Sequence, residues 1–323
     1  MPTRTATARA CSNIALIKYW GNRDEALRLP ANPSISFNLR DLHTTTMVVF
    51  NPALAADELI IDGLVAASTA LFRVGAFLDL IRATAPTRDG SVFARVTSHN
   101  NFPMGAGIAS SASAFAALGL AATAALGLTN TEAQLSALAR RGSGSASRSV
   151  PAGFVAWKDE CAWSIAAPDH WDLVDVIGVV STGEKKTGST EGHALAGTSP
   201  LQAARVADAP RRFERCMSAI RTRDFDQLAV VIEQDALMMF GVMMTSDPPL
   251  MYWLPASLAI MHEVQSMRAR GVPVAFTIDA GPNIHCICEA PVADIVATTI
   301  AGLAGVARVL RSPVGGGAML LSA

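Results

Sequence analysis

Asn101-Phe-Pro-Met-Gly-Ala-Gly-Ile-Ala-Ser-Ser-Ala-Ser113 is a loop of small residues that runs straight into an alanine-rich helix. Gly105 and Gly107 lack a Cβ, so the backbone there can turn sharply and bring its N–H groups close to an anion. Ser110, Ser111 and Ser113 add hydroxyls where the helix N-terminus supplies partial positive charge. No lysine follows the second glycine, so this is not the P-loop of the Gly-x-x-x-x-Gly-Lys-Ser/Thr type. On spacing alone the stretch reads either as a plain capped helix start or as a cradle for a polyphosphate.

The rest of the chain narrows the choice. At 323 residues, half of them hydrophobic and 16% charged, it is long enough for a large core and two lobes and too apolar to be disordered. A formal net charge of −1 and the lack of a basic tract give no support to a nucleic-acid surface. The five cysteines are odd in number and scattered, which points to reduced thiols in a cytoplasmic protein. Cys286-Ile-Cys288 puts both thiols on one side of a strand, and without a second Cys/His pair at ligand spacing the reading is core packing, not metal. The N-terminus shows no long apolar signal segment. Ala112 to Leu128 is apolar, but its Ser, Thr and Gly content and the absence of flanking basic residues argue for a buried helix, with no membrane role.

Arg9–Ile17 and Thr44–Phe50 read as strands, and Ser91–Ser98 as an alternating strand leading into the glycine loop. Ala66–Ala83 and Thr131–Arg141 have helical spacing. Asp175–Val180 is a short apolar strand, after which longer helices dominate at Leu201–Arg221, Phe225–Met244 and Leu254–Arg270. Pro273–Asp279 and Ile284–Glu289 are strands, Val292–Leu303 a helix, and Val314–Ala318 a terminal turn. The expected architecture is α+β and two-lobed, with a mixed-sheet lobe over 1–185 and a helix-rich lobe over 186–323.

Four further segments place polar groups where a core would not need them. In Asn13-Ile-Ala-Leu-Ile-Lys-Tyr-Trp-Gly-Asn-Arg-Asp24 an apolar strand ends at Lys18, which either snorkels to solvent or faces a substrate. Arg141-Gly-Ser-Gly-Ser-Ala-Ser-Arg148 brings hydroxyls and guanidinium together, either as a helix C-cap with surface arginines or as an anion site. Asp279-Ala-Gly-Pro-Asn283 sets a carboxylate at a strand end, as an Asx turn or as a reacting group. Glu184-Lys-Lys-Thr-Gly-Ser-Thr190 carries paired lysines, either ordinary loop charge or a counter-charge for a transferred phosphoryl group.

Taken together, Asn-Ile-Ala-x-Ile-Lys-Tyr-Trp-Gly, Asn-Asn-Phe-Pro-x-x-Ala-Gly-x-Ala-Ser-Ser-Ala, Gly-Ser-Gly-Ser-Ala-x-Arg-Ser and Asp-Ala-Gly-Pro-Asn resemble the mevalonate diphosphate decarboxylases of the GHMP kinase superfamily. The matches run in order from Asn13 to Asn283. The resemblance implies the GHMP two-lobed α+β fold, ATP and Mg²⁺ as cosubstrates, and a homodimer. It implies that Asp279 engages the substrate's C3 hydroxyl, with Lys18 beside it, and that Arg148 binds the substrate carboxylate. Tyr19, Asn22, Ser143, Ser145 and Ser189 would contact substrate. Pro103, Gly105, Ala106, Gly107, Ala109, Ser110 and Ser111 would cradle the ATP phosphates, with Lys185 or Lys186 at the γ-phosphate. It assigns no metal ligands.

One position departs from the pattern. Diphosphate-using relatives read Lys-Tyr-Trp-Gly-Lys, where the last lysine grips the diphosphate, whereas this chain has Asn22. Related 5-phosphomevalonate decarboxylases also lack that lysine, and their Arg-Asp-Glu-x-Leu-Arg-Leu-Pro resembles Arg23–Pro30. The sequence-based expectation is therefore ATP-dependent decarboxylation of 5-phosphomevalonate to isopentenyl phosphate, ADP, phosphate and CO₂. The alternative is the diphosphate substrate giving isopentenyl diphosphate. A 3-kinase that stops at the phospho ester and a non-catalytic ligand sensor come behind both.

Overall fold

The computed structural model describes residues 3–85, 92–102, 109–181, 183 and 187–322. The first lobe opens with β1 (Arg4–Ile17), a small hairpin of β2 (Asn22–Asp24) and β3 (Leu29–Pro30), and β4 (Ser34–Phe50). There follow β5 (Glu58–Ile61), β6 (Leu64–Val65), α1 (Ser68–Arg82), β7 (Ala94–Asn100), α2 (Ser110–Ala125), α3 (Glu132–Gly142), β8 (Phe154–Lys158) and β9 (Cys161–Ala166). The second lobe holds β10 (Leu173–Val179), α4 (Ser189–Leu195), α5 (Gln202–Thr222), α6 (Phe225–Met244), α7 (Pro255–Ala269), β11 (Val274–Ile278), β12 (Ile284–Glu289), α8 (Ala293–Ala301) and β13 (Arg308–Pro313). The final strand, β14 (Met319–Ser322), crosses back.

The first sheet runs β14-β1-β4-β7-β5-β6, with β8 joined to β4 and β9 to β8; it is mixed because β5 pairs with β7 in parallel. Its core is set by size. Ala6, Ala8 and Ala10 recur at strand period on β1 and are fully buried in one cluster with Ala116, Ala117, Ala121 and Ala122 of α2. Methyl against methyl lets the helix lie close on the sheet, so the alanine run is a buried helix, as its composition indicates. Thr131 caps α3 through a reciprocal capping box with Gln134.

The second sheet, β11-β12-β10-β13, is antiparallel and covered on both faces, which explains its nearly unbroken apolar strands. Val174, Val176, Phe276, Cys286 and Cys288 pack in one cluster, and Leu173, Ile177, Ala275 and Ile287 in another with Ile14, Ile17 and Ile35 of the first lobe. All five cysteines are free thiols. α6 is long and apolar enough to span a bilayer, but its residues belong to both cores.

The two-lobed α+β architecture is the expected one, with three differences of detail. β10 hydrogen-bonds to β12 and β13, so the change of sheet falls ahead of Leu173, earlier than the 185/186 division read from composition. The hairpin of β8 and β9, with Asp159-Glu160 as its turn, had no counterpart in the sequence reading. The 314–318 turn is a crossing: the Gly315 N–H donates to the Asn38 carbonyl (2.7 Å), which returns β14 to the edge of β1 beside the first strand.

A buried polar network ties the lobes together at the end of β1. Asp235 of α6 accepts from the Lys18 backbone N–H (2.6 Å) and from Arg212 Nε of α5 (2.7 Å). Arg205 of α5 donates to the Lys18 carbonyl (2.8 Å) and to Asn32 Oδ1 (3.0 Å). Asp235, Arg212 and Arg205 are all essentially inaccessible to solvent. Asp235→Ala would leave the Lys18 backbone N–H and the Arg212 Nε buried without their acceptor, while Arg212 keeps its pair with Asp208, a loss of about 3 kcal/mol. Denaturant melts should show it, and a midpoint within error of the parent would refute the network's importance.

Candidate active site

Two strand ends and a 3₁₀ turn converge at a cleft between the lobes. β1 stops at Ile17, so Lys18 leaves the sheet edge while its backbone is gripped by Asp235 and Arg205. β11 stops at Ile278, and Asp279 follows at the same cleft. The Lys18 Nζ donates to Asp279 Oδ1 at 2.8 Å. Lys18 is 1% exposed, whereas 22% of the Asp279 side chain remains open to the cleft.

Arg148 arrives from a 3₁₀ turn, Gly144–Ser149, directly after α3. It is buried, donates to Ser34 Oγ (2.7 Å) and Asn13 Oδ1 (3.3 Å), and lies over the Trp157 ring at 5.6 Å. Among the described residues its Nε has no partner, and the residue lines the cleft. Asn13 in turn donates to Ser149 Oγ (2.8 Å) and the Ser145 carbonyl (3.2 Å), fixing the turn on β1. Ser143 links Ser111 (3.1 Å) of α2 to Ser145 (3.4 Å), a chain of hydroxyls along one wall. Gly144 must be glycine, because a Cβ would lie 2.5 Å from the Tyr19 hydroxyl.

Burial works to raise the Asp279 pKa, but Lys18, His285 and Arg148 outweigh it, and the group lies below the ordinary carboxylate value. Burial lowers Lys18 from the usual lysine value against the pull of Asp279 and Asp235. Burial also brings Arg148 down to about 10, with Asp279 opposing. Behind Asp279, His285 of β12 meets Asp175 of β10 at 2.6 Å, both fully buried. Burial would lower the His285 pKa, yet the Asp175 charge and hydrogen bond raise it overall. The strand register sets this pair on the same sheet face as Thr277, two residues before Asp279.

Of the residues singled out from sequence, Lys18, Tyr19, Ala109, Ser111, Ser143, Ser145, Arg148, Ser189 and Asp279 line this one cleft. Ala109 holds a left-handed backbone (φ 37°) immediately before Ser110 opens α2, a strained conformation for a residue with a Cβ. Asn22 sits just behind the wall, its amide oxygen accepting from the Tyr19 hydroxyl and its Nδ2 donating to Glu25 (2.8 Å). Pro103, Gly105, Ala106, Gly107, Lys185 and Lys186 lie outside the described residues. Sequence reasoning missed Arg28, Thr190 and His193, which also line the cleft. Arg28 carried a signal, since it belongs to the Arg23–Pro30 motif; Arg23 itself points away to Asp159 (2.6 Å).

Two family descriptions fit the chain: the diphosphomevalonate decarboxylase-like N-terminal domain over residues 10–166, and the mevalonate 5-diphosphate decarboxylase C-terminal domain over 175–308. Together they account for both lobes. The chain belongs to the diphosphomevalonate decarboxylase family. It is 37% identical over 299 residues to the diphosphomevalonate decarboxylase of Candida albicans, spanning 86% of this chain and 83% of that one. With the human diphosphomevalonate decarboxylase the identity is 38% over 308 residues (87% and 76%). Among solved structures, mevalonate diphosphate decarboxylase from Staphylococcus aureus superposes with a TM-score of 0.94 at 33% identity, covering 99% of each chain. A complex of MDDEF with MVAPP, AMPPCP and magnesium gives 0.93 at 35% identity, covering 100% of each. The family's GHMP-type two-lobed fold is therefore that of this chain.

Proposed function

We propose that the protein is an ATP- and Mg²⁺-dependent decarboxylase of 5-phosphorylated mevalonate, with diphosphomevalonate as substrate. The observation that carries the reading is the 2.8 Å Lys18–Asp279 pair, open to a cleft that it shares with the buried Arg148. A tertiary alcohol set against Asp279 presents its oxygen for in-line attack on the terminal phosphorus of a nucleotide. The new O–P bond forms as the bond to ADP breaks, and the hydroxyl proton passes to the transferred phosphoryl group. The carboxylate accepts the hydroxyl hydrogen bond and holds the oxygen in position. Arg148, buried in the cleft wall, holds the substrate carboxylate through its guanidinium. Once the 3-phosphate leaves, positive charge develops at C3, the Asp279 carboxylate faces it, and CO₂ departs to form the alkene.

On the nucleotide side the Ser111 hydroxyl would suit Mg²⁺ held chiefly by phosphate oxygens and water. The ion would neutralise phosphate charge. We also place the protein in a reducing cytoplasm, on its free and mostly buried thiols, and as a homodimer, on family resemblance.

The relatives named above favour the diphosphate over the monophosphate expected from Asn22. The monophosphate stands as a second reading on one observation: position 22 offers no cation, and Glu25 stands 2.8 Å from its amide, a carboxylate unfavourable to a further phosphate charge. Coupled ADP and CO₂ assays with both substrates decide. The diphosphate should give the higher kcat/KM; at least a tenfold preference for the monophosphate reverses the assignment. ADP without CO₂ would make the protein a 3-kinase, and neither product a sensor.

A further inference from the structure

Within the cleft, the C3 hydroxyl at Asp279 and the carboxylate at Arg148 account for two arms of a mevalonate skeleton. The third arm, with its 5-phosphoryl group, is left the end lined by Arg28, Tyr19 and His193. His193 is held there with unusual definition. Its ring lies between Tyr19 (centroids 4.1 Å apart) and Trp20 (4.6 Å), and its Nδ1 accepts the Gly21 backbone N–H at 2.9 Å. The preceding residue must be small, since a Cβ at Gly192 would lie 2.6 Å from the Trp20 ring.

An imidazole whose Nδ1 accepts a backbone N–H carries its single proton on Nε2. We propose that His193 is a specificity-determining residue whose Nε2–H donates a hydrogen bond to the 5-phosphoryl oxygens of the substrate, beside the Arg28 guanidinium. Burial, together with Arg28, Arg205 and Arg148, pushes the ring's pKa down to about 3, so it stays uncharged and the tautomer holds throughout the neutral range. Arg28 supplies charge, and His193 adds direction without adding charge. This assignment rests on the proposed function, because it presupposes a phosphorylated C5 arm.

Two substitutions in the full-length enzyme separate the ring's two nitrogens. In His193→Asn the amide oxygen can take the Gly21 N–H, but nothing reaches the Nε2 position. In His193→Gln the amide nitrogen reaches the Nε2 position and the Gly21 contact is lost. With ATP saturating, His193→Asn should raise KM for the phosphorylated substrate about tenfold, the worth of one hydrogen bond to a charged group. KM for ATP should stay near that of the parent, and His193→Gln should recover most of the loss. The reverse ranking, with Asn near the parent and Gln impaired, overturns the assignment and leaves His193 as a strut for residues 20–22. If neither variant folds, ¹⁵N spectra of the unmodified protein decide. The His193 Nε2 resonance should move on adding mevalonate 5-phosphate or 5-diphosphate and not on adding mevalonate, and a resonance unmoved by the phosphorylated compounds overturns it. A parent enzyme that turns over neither compound defeats the underlying function instead.

Discussion

Asp279→Asn should lower kcat for CO₂ release by about 10³-fold, within the range for loss of a positioned acid–base group, while nucleotide affinity changes by no more than about twofold. The amide preserves shape and can still accept one hydrogen bond, so the C3 hydroxyl would still find a partner. What is lost is charge. In the parent the depressed pKa keeps the carboxylate ionised through the neutral range. A carboxylate so stabilised is a weak base towards a tertiary alcohol. Its greater contribution therefore lies in orienting the oxygen and facing the positive charge that develops at C3. Both phosphoryl transfer and decarboxylation should then suffer, and single-turnover runs should show ADP and CO₂ falling together. Near-parent turnover would falsify the role. Loss of CO₂ with normal ADP formation would confine Asp279 to the second step.

The contrast between what sequence exposed and what it hid has a physical origin. Lys18, Arg148 and Asp279 were legible because each follows a local signature: a strand end, a small-residue turn and a strand–Gly-Pro turn. Their neighbours were not, because their meaning arises only from distant partners. Asp235 lies 217 residues from the backbone N–H it accepts, and on α6 it looks like any acidic residue of an amphipathic helix. Arg205 and Arg212 are seven apart, which places them on one helix face, and that face proves to be the buried one. His193 sits on a short helix with no local flag; its role depends on two aromatic rings over 170 residues earlier. The β8–β9 hairpin carried a readable signal, an Asp-Glu turn between aromatic-rich strands, with Asp159 at positive φ. Asn22 shows the limit of a local reading: the substitution is plain in the sequence, but its hydrogen bonds to Tyr19 and Glu25 emerge only in the fold.

Lys18→Met should cost about 10²-fold in kcat and, more tellingly, move the acid limb of the kcat/KM profile to higher pH. Methionine matches the length of the lysine stem and fills the same buried space without a charge. The sign follows from the forces on Asp279. Burial raises its pKa; Lys18 supplies the largest opposing attraction, and His285 and Arg148 supply the rest. Removing the ammonium leaves burial less opposed, so the carboxylate takes up its proton at a higher pH, and the ionised form is lost earlier as pH falls. Because His285 and Arg148 remain, Asp279 should stay ionised at alkaline pH and part of the activity should return there. The decisive comparison is the parent and Lys18→Met profiles over the same buffers, with circular dichroism confirming the fold. An acid limb that stays in place or moves downward would mean that Lys18 serves catalysis by touching the transferred phosphoryl group, with no hold on the charge of Asp279.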